Sequence, residues 1–459
     1  MTAGTGEHVR TLLAHLQDRA STSVLAEAGR EIPSDELLRR AVGWEGELAS
    51  RGVGSGTVCS FIGDYAGDTV ALLLALMRLG AVAMPLSPGA VPAMGELLAI
   101  AGARWLIDFR SVGDGGPSIE PVSATSPNPL VEAFRSTGHP GLVVFTSGSS
   151  GRPKGILHDF DRVLAKFAVS RPGWRAILFL MMDHFGGINT LCSCLKHGGV
   201  GICVGQRTPE AVCQSIESHR ADLLPTTPTF LNMLLASGAW RKYDLSSLRL
   251  ITYGAEPMPV ATLQRIAAVF PNAKLQQTYG LSELGVLRSQ SADRESLWLR
   301  VGGAGFETRV VDNVLHIRSI SNMVGYLNAP SPIDAEGWMN TGDVVEERDG
   351  MLRFMGRVSE VINVGGQKVF PAEVEGVLLE APGVAEATVY GRAHPLLGQA
   401  VCARVSLLAP EAHEAVVERL RGHCRERLSK FKVPIRIDVV EHDTQLSDRA
   451  KKVRTVAPC

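Results

Sequence analysis

Through most of its first 350 residues the chain alternates helical stretches such as DELLRRAVGWEGELASRG with short β-branched runs, GLVVFT, VGICVG and LRLITYG. Strands that read as continuous apolar runs are buried on both faces and need helices to cover them, so this rhythm predicts layered α/β structure. From WMNTGDVVEERDGMLRFMGR onward the pattern shifts to short strands, and Asp349-Gly350 predicts a hairpin turn. After Arg357 come an apolar strand, a turn at Gly365 and Gly366, a helix from about Pro371, strands EATVYG and AVCARVSL, and a helix around EAVVERLRGHCRERL. That is a βαββα-like unit of roughly 100 residues. The expected fold class is therefore α/β, multi-domain, with some α+β character. A large N-terminal domain of layered sheets and helices spans 1–356, a hinge spans 357–360, and a small C-terminal α+β domain spans 361–459. A chain of 459 residues suits more than one core. The Gly, Ser and Pro-rich stretch 112–129 predicts a surface loop.

Charge excludes some partners. Lys plus Arg total 46 against 47 for Asp plus Glu, a net charge of −1, so no long-range field draws the chain to nucleic acid or anionic lipid. Any phosphate binding must be local. The run VALLLALMRLGAVAMPL is broken by Arg78 and Gly80 and ends near Pro85, which predicts a buried helix turning into a strand and no membrane span. The 8 cysteines are scattered, and Cys192 and Cys194 lack CxxC spacing, so unpaired, mostly buried thiols are expected over a disulfide frame or a zinc site. The start MTAGTGEHVRTLLAHL carries acid and has no basic region before an apolar one, unlike a secretory signal. The expected compartment is the cytoplasm.

The chemistry concentrates in VVFTSGSSGRPKGILH, residues 143–158. A strand running into a loop of hydroxyls and glycines lets backbone N–H groups and Ser or Thr side chains converge on phosphate oxygens without obstruction, and Lys154 adds a point charge. The spacing is not that of the GxxxxGK[ST] loop, because Lys154 is followed by Gly.

TSGSSGRPKG resembles the phosphate loop of the adenylate-forming enzymes, which comprise acyl-CoA synthetases, peptide-synthetase adenylation domains and luciferases. Five further segments follow in the family's order: MMDHFGGIN, similar to the acyl-pocket histidine motif; YGAEPMP, to the adenine strand; QTYGLSE, to the adenine and magnesium motif; NTGD, to the ribose motif; and GRVSEVINVGGQKVFPAEVE, to the domain junction. The likeness extends from about residue 20 to the C-terminus.

The resemblance implies an AMP-forming acid:thiol ligase. A carboxylate attacks the α-phosphorus of ATP, pyrophosphate leaves, and the acyl-AMP passes its acyl group to CoA. Alternatives are transfer to the phosphopantetheine thiol of an acyl carrier protein, activation of a non-standard oxyanion, and a nucleotide-binding protein without catalysis. The implied cofactors are ATP, Mg²⁺ and CoA or phosphopantetheine, and the implied partner is a small-molecule carboxylic acid. Because an anion must approach a polyanion, the site's main task is neutralising charge.

Residue by residue, the likeness implies that Thr146, Ser147, Gly148, Ser149, Ser150 and Gly151 grip the β and γ phosphates with Lys154. Glu283 and Thr146 would be magnesium ligands, Tyr279 would stack on adenine, and Gly254, Ala255 and Glu256 would lie along its other side. Ser282 would donate to the α-phosphate, Asp343 would accept from the ribose hydroxyls, and Arg357 would approach ribose or phosphate. Asp183, His184, Tyr253, Thr278 and Gly280 would border the acyl pocket. His184 is otherwise a core residue. Asp183, where relatives commonly carry an aromatic, would either read a polar substrate or brace His184.

In the small domain Lys452 is the expected adenylation lysine, with Lys451 where relatives carry glycine and itself an alternative to Lys452. RAKKVR also reads as a solvated tail. Ser359 stands at the hinge, where relatives have Asp or Lys. Gly365 and Gly366 match the bare turn beside the thiol tunnel, or form a simple hairpin. Arg419, Arg421, Arg425, Arg427, Lys430 and Lys432 make a basic run that meets CoA phosphate or an acidic carrier, or is a solvated face.

Overall fold

The computed structural model of the chain describes residues 6–113, 116–122, 126–147, 152–303 and 305–441. Two seven-stranded sheets form the body of the molecule. In one, the parallel strands Lys274–Gln277, Leu250–Tyr253, Leu223–Thr226, Arg175–Ile177, Val200–Ile202 and Ser23–Glu27 lie side by side, with Arg30–Pro33 antiparallel at the edge. The other runs Gly325–Tyr326, Pro153–Asp159, Gly141–Ser147, Val82–Leu86, Val58–Ile62, Trp105–Gly113 and Gly116–Pro121.

The helix Gly67–Leu79, with the sequence GDTVALLLALMRL, is buried continuously from Thr69 to Met77. A helix apolar on every face must sit inside rather than on the surface, and each leucine it removes from water contributes roughly 1.5–3 kcal/mol. It leads through Gly80 into the buried strand Val82–Leu86, the helix-to-strand turn expected from sequence. Among the described residues no helix is long and apolar enough to cross a membrane.

A third, six-stranded antiparallel sheet includes Trp338–Arg348 and Met351–Arg357, which pair across the Asp349-Gly350 turn. The short helical turn Val358–Glu360 follows, and then a separate five-stranded sheet over Ile362–Val439, with its own core of Val374, Leu378, Val389, Val401, Val405 and Leu420. Helices Pro228–Ser237 and Val260–Val269 of the larger part pack against Val384–His394 and Pro371–Glu380 of this unit. The Asn232 side-chain amide donates to the Ala385 carbonyl across that contact.

Two expectations need correction. Much of 112–129 is not loop, because Trp105–Gly113 and Gly116–Pro121 form an antiparallel hairpin at the sheet edge, with Ile107 opposite Ile119. An edge strand needs main-chain pairing and only one apolar face, so GPSIEP carries little of a strand's usual composition. The C-terminal unit also contains one more strand, Arg436–Val439, lying parallel to Gly398–Leu407. The seven described cysteines are all unpaired.

Candidate active site

The site is assembled where strand ends from different sheets converge, the usual place for ligands in open α/β structures. Strand Leu250–Tyr253 ends in Gly254-Ala255-Glu256, and beside it Gln277 and Thr278 lead into the two-stranded hairpin Tyr279–Leu281 and Gly285–Leu287. The two chains approach too closely for side chains. A Cβ on Gly254 would sit 2.5 Å from Thr278 Oγ1 and 2.7 Å from the Thr278 carbonyl oxygen. Ala255 takes a positive φ of 68°, a conformation that costs of order 1 kcal/mol for a non-glycine residue and turns the chain along the cavity wall. Glu256 is anchored by Thr229, whose hydroxyl donates to Oε2 at 2.5 Å.

Ala255, Glu256, Thr278, Tyr279, Asp343 and Arg357 line one cavity, which Gly280, Phe354 and Glu360 also border. Asp343 and Arg357 face each other in the antiparallel register of their two strands. Arg357 Nε donates to Asp343 Oδ1 at 3.1 Å, and the Tyr279 hydroxyl donates to Oδ2 at 2.6 Å. Burial pushes the Asp343 carboxyl above its ordinary range, while the guanidinium and the phenol oppose that shift. One face of Tyr279 stacks on Phe354, with ring centroids 4.4 Å apart and planes 20° apart, which leaves that face closed to a second flat ring.

A second cluster sits where the strands Gly141–Ser147 and Pro153–Asp159 flank the expected phosphate loop. Thr146 and Lys154 are direct partners across the antiparallel strands that bracket the loop. Lys154 Nζ lies over the Tyr326 ring, 5.2 Å from its centroid, and the Tyr326 hydroxyl donates to Glu283 Oε1 at 2.7 Å. Burial and the Glu283 charge push the Tyr326 phenol up, so it remains a donor. Asn328 ties down the loop's exit, accepting from the Gly155 amide at 3.1 Å and donating to the Pro153 carbonyl at 2.8 Å. Behind Glu283, His158 Nε2 donates to the Ser282 carbonyl at 2.7 Å, and its ring lies against Phe185. Burial lowers the His158 pKa to about 4, so the ring is neutral at physiological pH.

His184 caps helix Phe185–His197, its Nδ1 accepting from the Gly186 amide at 3.1 Å. Asp183 is 3 % exposed, and its Oδ2 accepts from the Ser87 amide at 3.3 Å, which ties the segment to the end of a neighbouring strand. Among the expected acyl-pocket residues, Thr278 and Gly280 border the cavity, whereas Tyr253 is 1 % exposed within the core beside Phe230 and Ile251. Gly365 and Gly366 occupy the hairpin turn between Ile362–Val364 and Gln367–Val369, with Asn363 Oδ1 accepting from the Gly366 amide. Ser359 lies in the short turn between the two cores. Gly148, Ser149, Ser150, Gly151, Lys451 and Lys452 lie outside the described residues, and Ser147 is described in its backbone alone.

Tyr326, Phe354, Asn328 and His158 went unnoticed in the sequence. Their one accessible signal is the polar or aromatic residue on a short strand, TyrLeuAsn at 326–328 and PheMetGly at 354–356. Neither distinguishes a site residue from an ordinary strand residue.

The hard oxygen donors of Glu283 and Thr146 are of the kind that suit Mg²⁺. Among the described residues no group of three His, Cys, Asp or Glu side chains is placed to hold a metal, so a cation here needs ligand oxygens, such as those of phosphate, to complete its shell.

An AMP-binding enzyme family model matches residues 35–327, and a model for the AMP-binding enzyme C-terminal domain matches 373–448. The chain is 31 % identical over 321 residues to an octahydro-indenyl propanoyl:CoA ligase of Mycobacterium tuberculosis, the match covering 65 % of this chain and 62 % of that protein. It thus spans about three fifths of that relative's length. With the long-chain-fatty-acid–CoA ligase FadD13 of the same organism it shares 26 % identity over 484 residues, 93 % of this chain and 94 % of the other. The crystal structure of the anthranilate CoA ligase AuaEII in complex with anthranoyl-AMP superposes with a TM-score of 0.82 at 21 % identity, covering 97 % and 95 % of the two chains. That likeness establishes the fold.

Proposed function

The chain belongs to the AMP-binding enzyme family, and from that premise we propose that it adenylates a small carboxylic acid with ATP and passes the acyl group to CoA. The observation that carries this reading is the pairing of two preassembled clusters. Tyr279, Asp343 and Arg357 border a cavity of about 110 Å³ whose aromatic ring, carboxylate and guanidinium match the groups of a nucleoside, and Lys154, Tyr326 and Glu283 cluster beside the strand that leaves the phosphate loop.

In the first step an oxygen of the acid forms a bond to the α-phosphorus, and the bond from that phosphorus to the bridging oxygen breaks, releasing pyrophosphate. Asp343 accepts from the ribose hydroxyls, Arg357 neutralises charge beside it, and the Tyr279 face turned from Phe354 meets adenine between it and the Gly254-Ala255-Glu256 segment. Thr146, Lys154 and the loop residues Ser147 to Gly151 hold the β and γ phosphates, and Ser282 donates to the α-phosphate. Glu283 and Thr146 would hold a Mg²⁺ ion, which would supply positive charge to offset that of the phosphate oxygens. Lys452 supplies an ammonium to the same charge.

In the second step the thiol sulfur bonds to the acyl carbon, the carbon–oxygen bond to AMP breaks, and the thiol proton is lost to solvent. Rotation about Ser359 would bring the Gly365-Gly366 turn to the thiol path. His184, fixed as a helix cap, and Asp183 behind it set the wall between acid and thiol. The reaction needs no membrane span, and the unpaired thiols suit the cytoplasm.

A groove on the small domain, about 600 Å³ and lined by Arg421, Arg425 and Lys430, favours a thiol donor bearing negative charge. CoA has such phosphates, and an acidic carrier protein is the second reading. Acid-dependent exchange of labelled pyrophosphate into ATP tests adenylation. Release of AMP with free CoA, compared with release on a carrier, separates the two acceptors.

A further inference from the structure

A larger cavity, about 630 Å³, lies against the second strand of the hairpin formed by Tyr279–Leu281 and Gly285–Leu287. Thr278 lines both it and the nucleotide-side cavity. One wall is Val286 and Leu287, and another is Asn189 on the helix that His184 caps. The two cavities therefore meet at the segment that borders the acid.

The lining of this larger cavity is one-sided in charge. It includes Lys166, Arg171, Lys274, Arg288 and Arg300, and no Asp or Glu. Among the described residues none of these five cations forms an ion pair. Lys166 is drawn inward, its Nζ donating to Asn189 Oδ1 and to the Val286 carbonyl at 2.5 Å each. Burial, with Arg171 and Arg288 adding repulsion, holds its ammonium down to about 7. Arg171 is likewise lowered by burial and by Arg288.

Cations gathered around a partly buried space repel one another and lose hydration, and a bound anion relieves both costs. Neutral acceptors such as Asn189 and a carbonyl relieve neither fully. An apolar chain end gains nothing from such a wall, whereas a carboxylate gains charge-assisted hydrogen bonds.

We propose that this cavity is the subsite for a second carboxylate at the far end of the acid substrate, with Lys166, Arg171 and Arg288 holding one end while the other is activated. The substrate class is thus dicarboxylic, and this inference rests on the adenylation reading above. Lys166 and Arg288 are specificity-determining residues.

The test pairs monocarboxylic acids with otherwise identical acids carrying a second, terminal carboxylate, in aliphatic and aryl series, using the full chain and pyrophosphate exchange. The diacid is expected to exceed its partner in kcat/KM by about tenfold or more, as befits a desolvated charge pair. Lys166→Met and, separately, Arg288→Gln collapse that ratio by about the same factor, chiefly through the KM of the diacid, and Lys166→Arg restores most of it. A ratio at or below one in the unmodified protein overturns the proposal. So do variants that slow both acids alike, or that raise only the KM of CoA, whose phosphates are the other anions available. Exchange with no acid in either series contradicts the adenylation reading instead. Calorimetric titration with the same pairs then decides the subsite without turnover: tighter binding of the diacid, lost in Lys166→Met, supports it, and equal affinities overturn it.

Discussion

The Tyr279 hydroxyl donates a 2.6 Å hydrogen bond to Asp343, a residue 64 positions away whose other carboxylate oxygen accepts from Arg357. Both oxygens are thereby oriented by the protein itself, and in the proposed site they would accept from the ribose hydroxyls. A hydrogen bond to a charged group contributes about 1.5–3 kcal/mol. Tyr279→Phe should therefore raise the KM for ATP in pyrophosphate exchange by about tenfold or more. An unchanged KM would mean that the bond does not organise the site.

Tyr326 links the phosphate-loop lysine to Glu283, with its ring under Lys154 and its hydroxyl on the carboxylate. Glu283→Gln removes the charge that would hold a divalent cation in the proposed site, and AMP formation should then fall by about a hundredfold or more. Tyr326→Phe keeps the charge and loses only its orientation, so a smaller fall, about tenfold, is expected. Measuring both variants across a Mg²⁺ titration separates the roles: excess metal should leave Glu283→Gln slow even at saturation and restore most of the rate of Tyr326→Phe.

Gly280 lies where the hairpin strands nearly touch: an added Cβ would be 2.7 Å from both the Gly285 carbonyl oxygen and Val286 Cα. Backbone cannot rotate aside as a side chain can. Gly280→Ala should cost about 1–3 kcal/mol, seen as a lower thermal midpoint, together with weaker nucleotide binding. A variant of unchanged stability would show that the hairpin is looser than this geometry.

His158 is 1 % exposed and neutral, with its pKa lowered to about 4 from an ordinary 6.5. Between those values the unfolded chain binds the proton and the folded chain does not, so the contribution is fully present above 6.5 and is lost as pH falls towards 4. From pH 7 to pH 5 this one group should remove about 2 kcal/mol of stability. Denaturant melts of the protein and of His158→Phe at the two pH values check this, and the variant should show a shallower dependence.

The motifs read as sites for charged or flat groups are legible because they depend on local chain geometry. A strand into a hydroxyl loop, Gly254 at a close approach, and a carboxylate following a turn each leave a mark within a few residues. Tyr326 and Glu283 lie 43 residues apart, and Phe354 meets Tyr279 only after two sheets have formed. Pairing of that kind has no signature in either segment. Tyr253 shows the opposite case, since its place beside a site motif suggested a pocket residue, but alternation along its strand turns the side chain into the core. The edge strand Gly116–Pro121 was hidden because main-chain pairing needs no particular composition. The basic cavity was likewise invisible, since Lys166, Arg171, Lys274, Arg288 and Arg300 come from separate segments and the whole chain is nearly neutral.

Transfer of label from pyrophosphate into ATP, measured with and without a broad set of acids, tests the account at its centre. The expected result is exchange that requires an acid and falls by about a hundredfold to a thousandfold in Lys452→Ala. Absence of exchange with every acid, or exchange of equal rate when no acid is present, would contradict it.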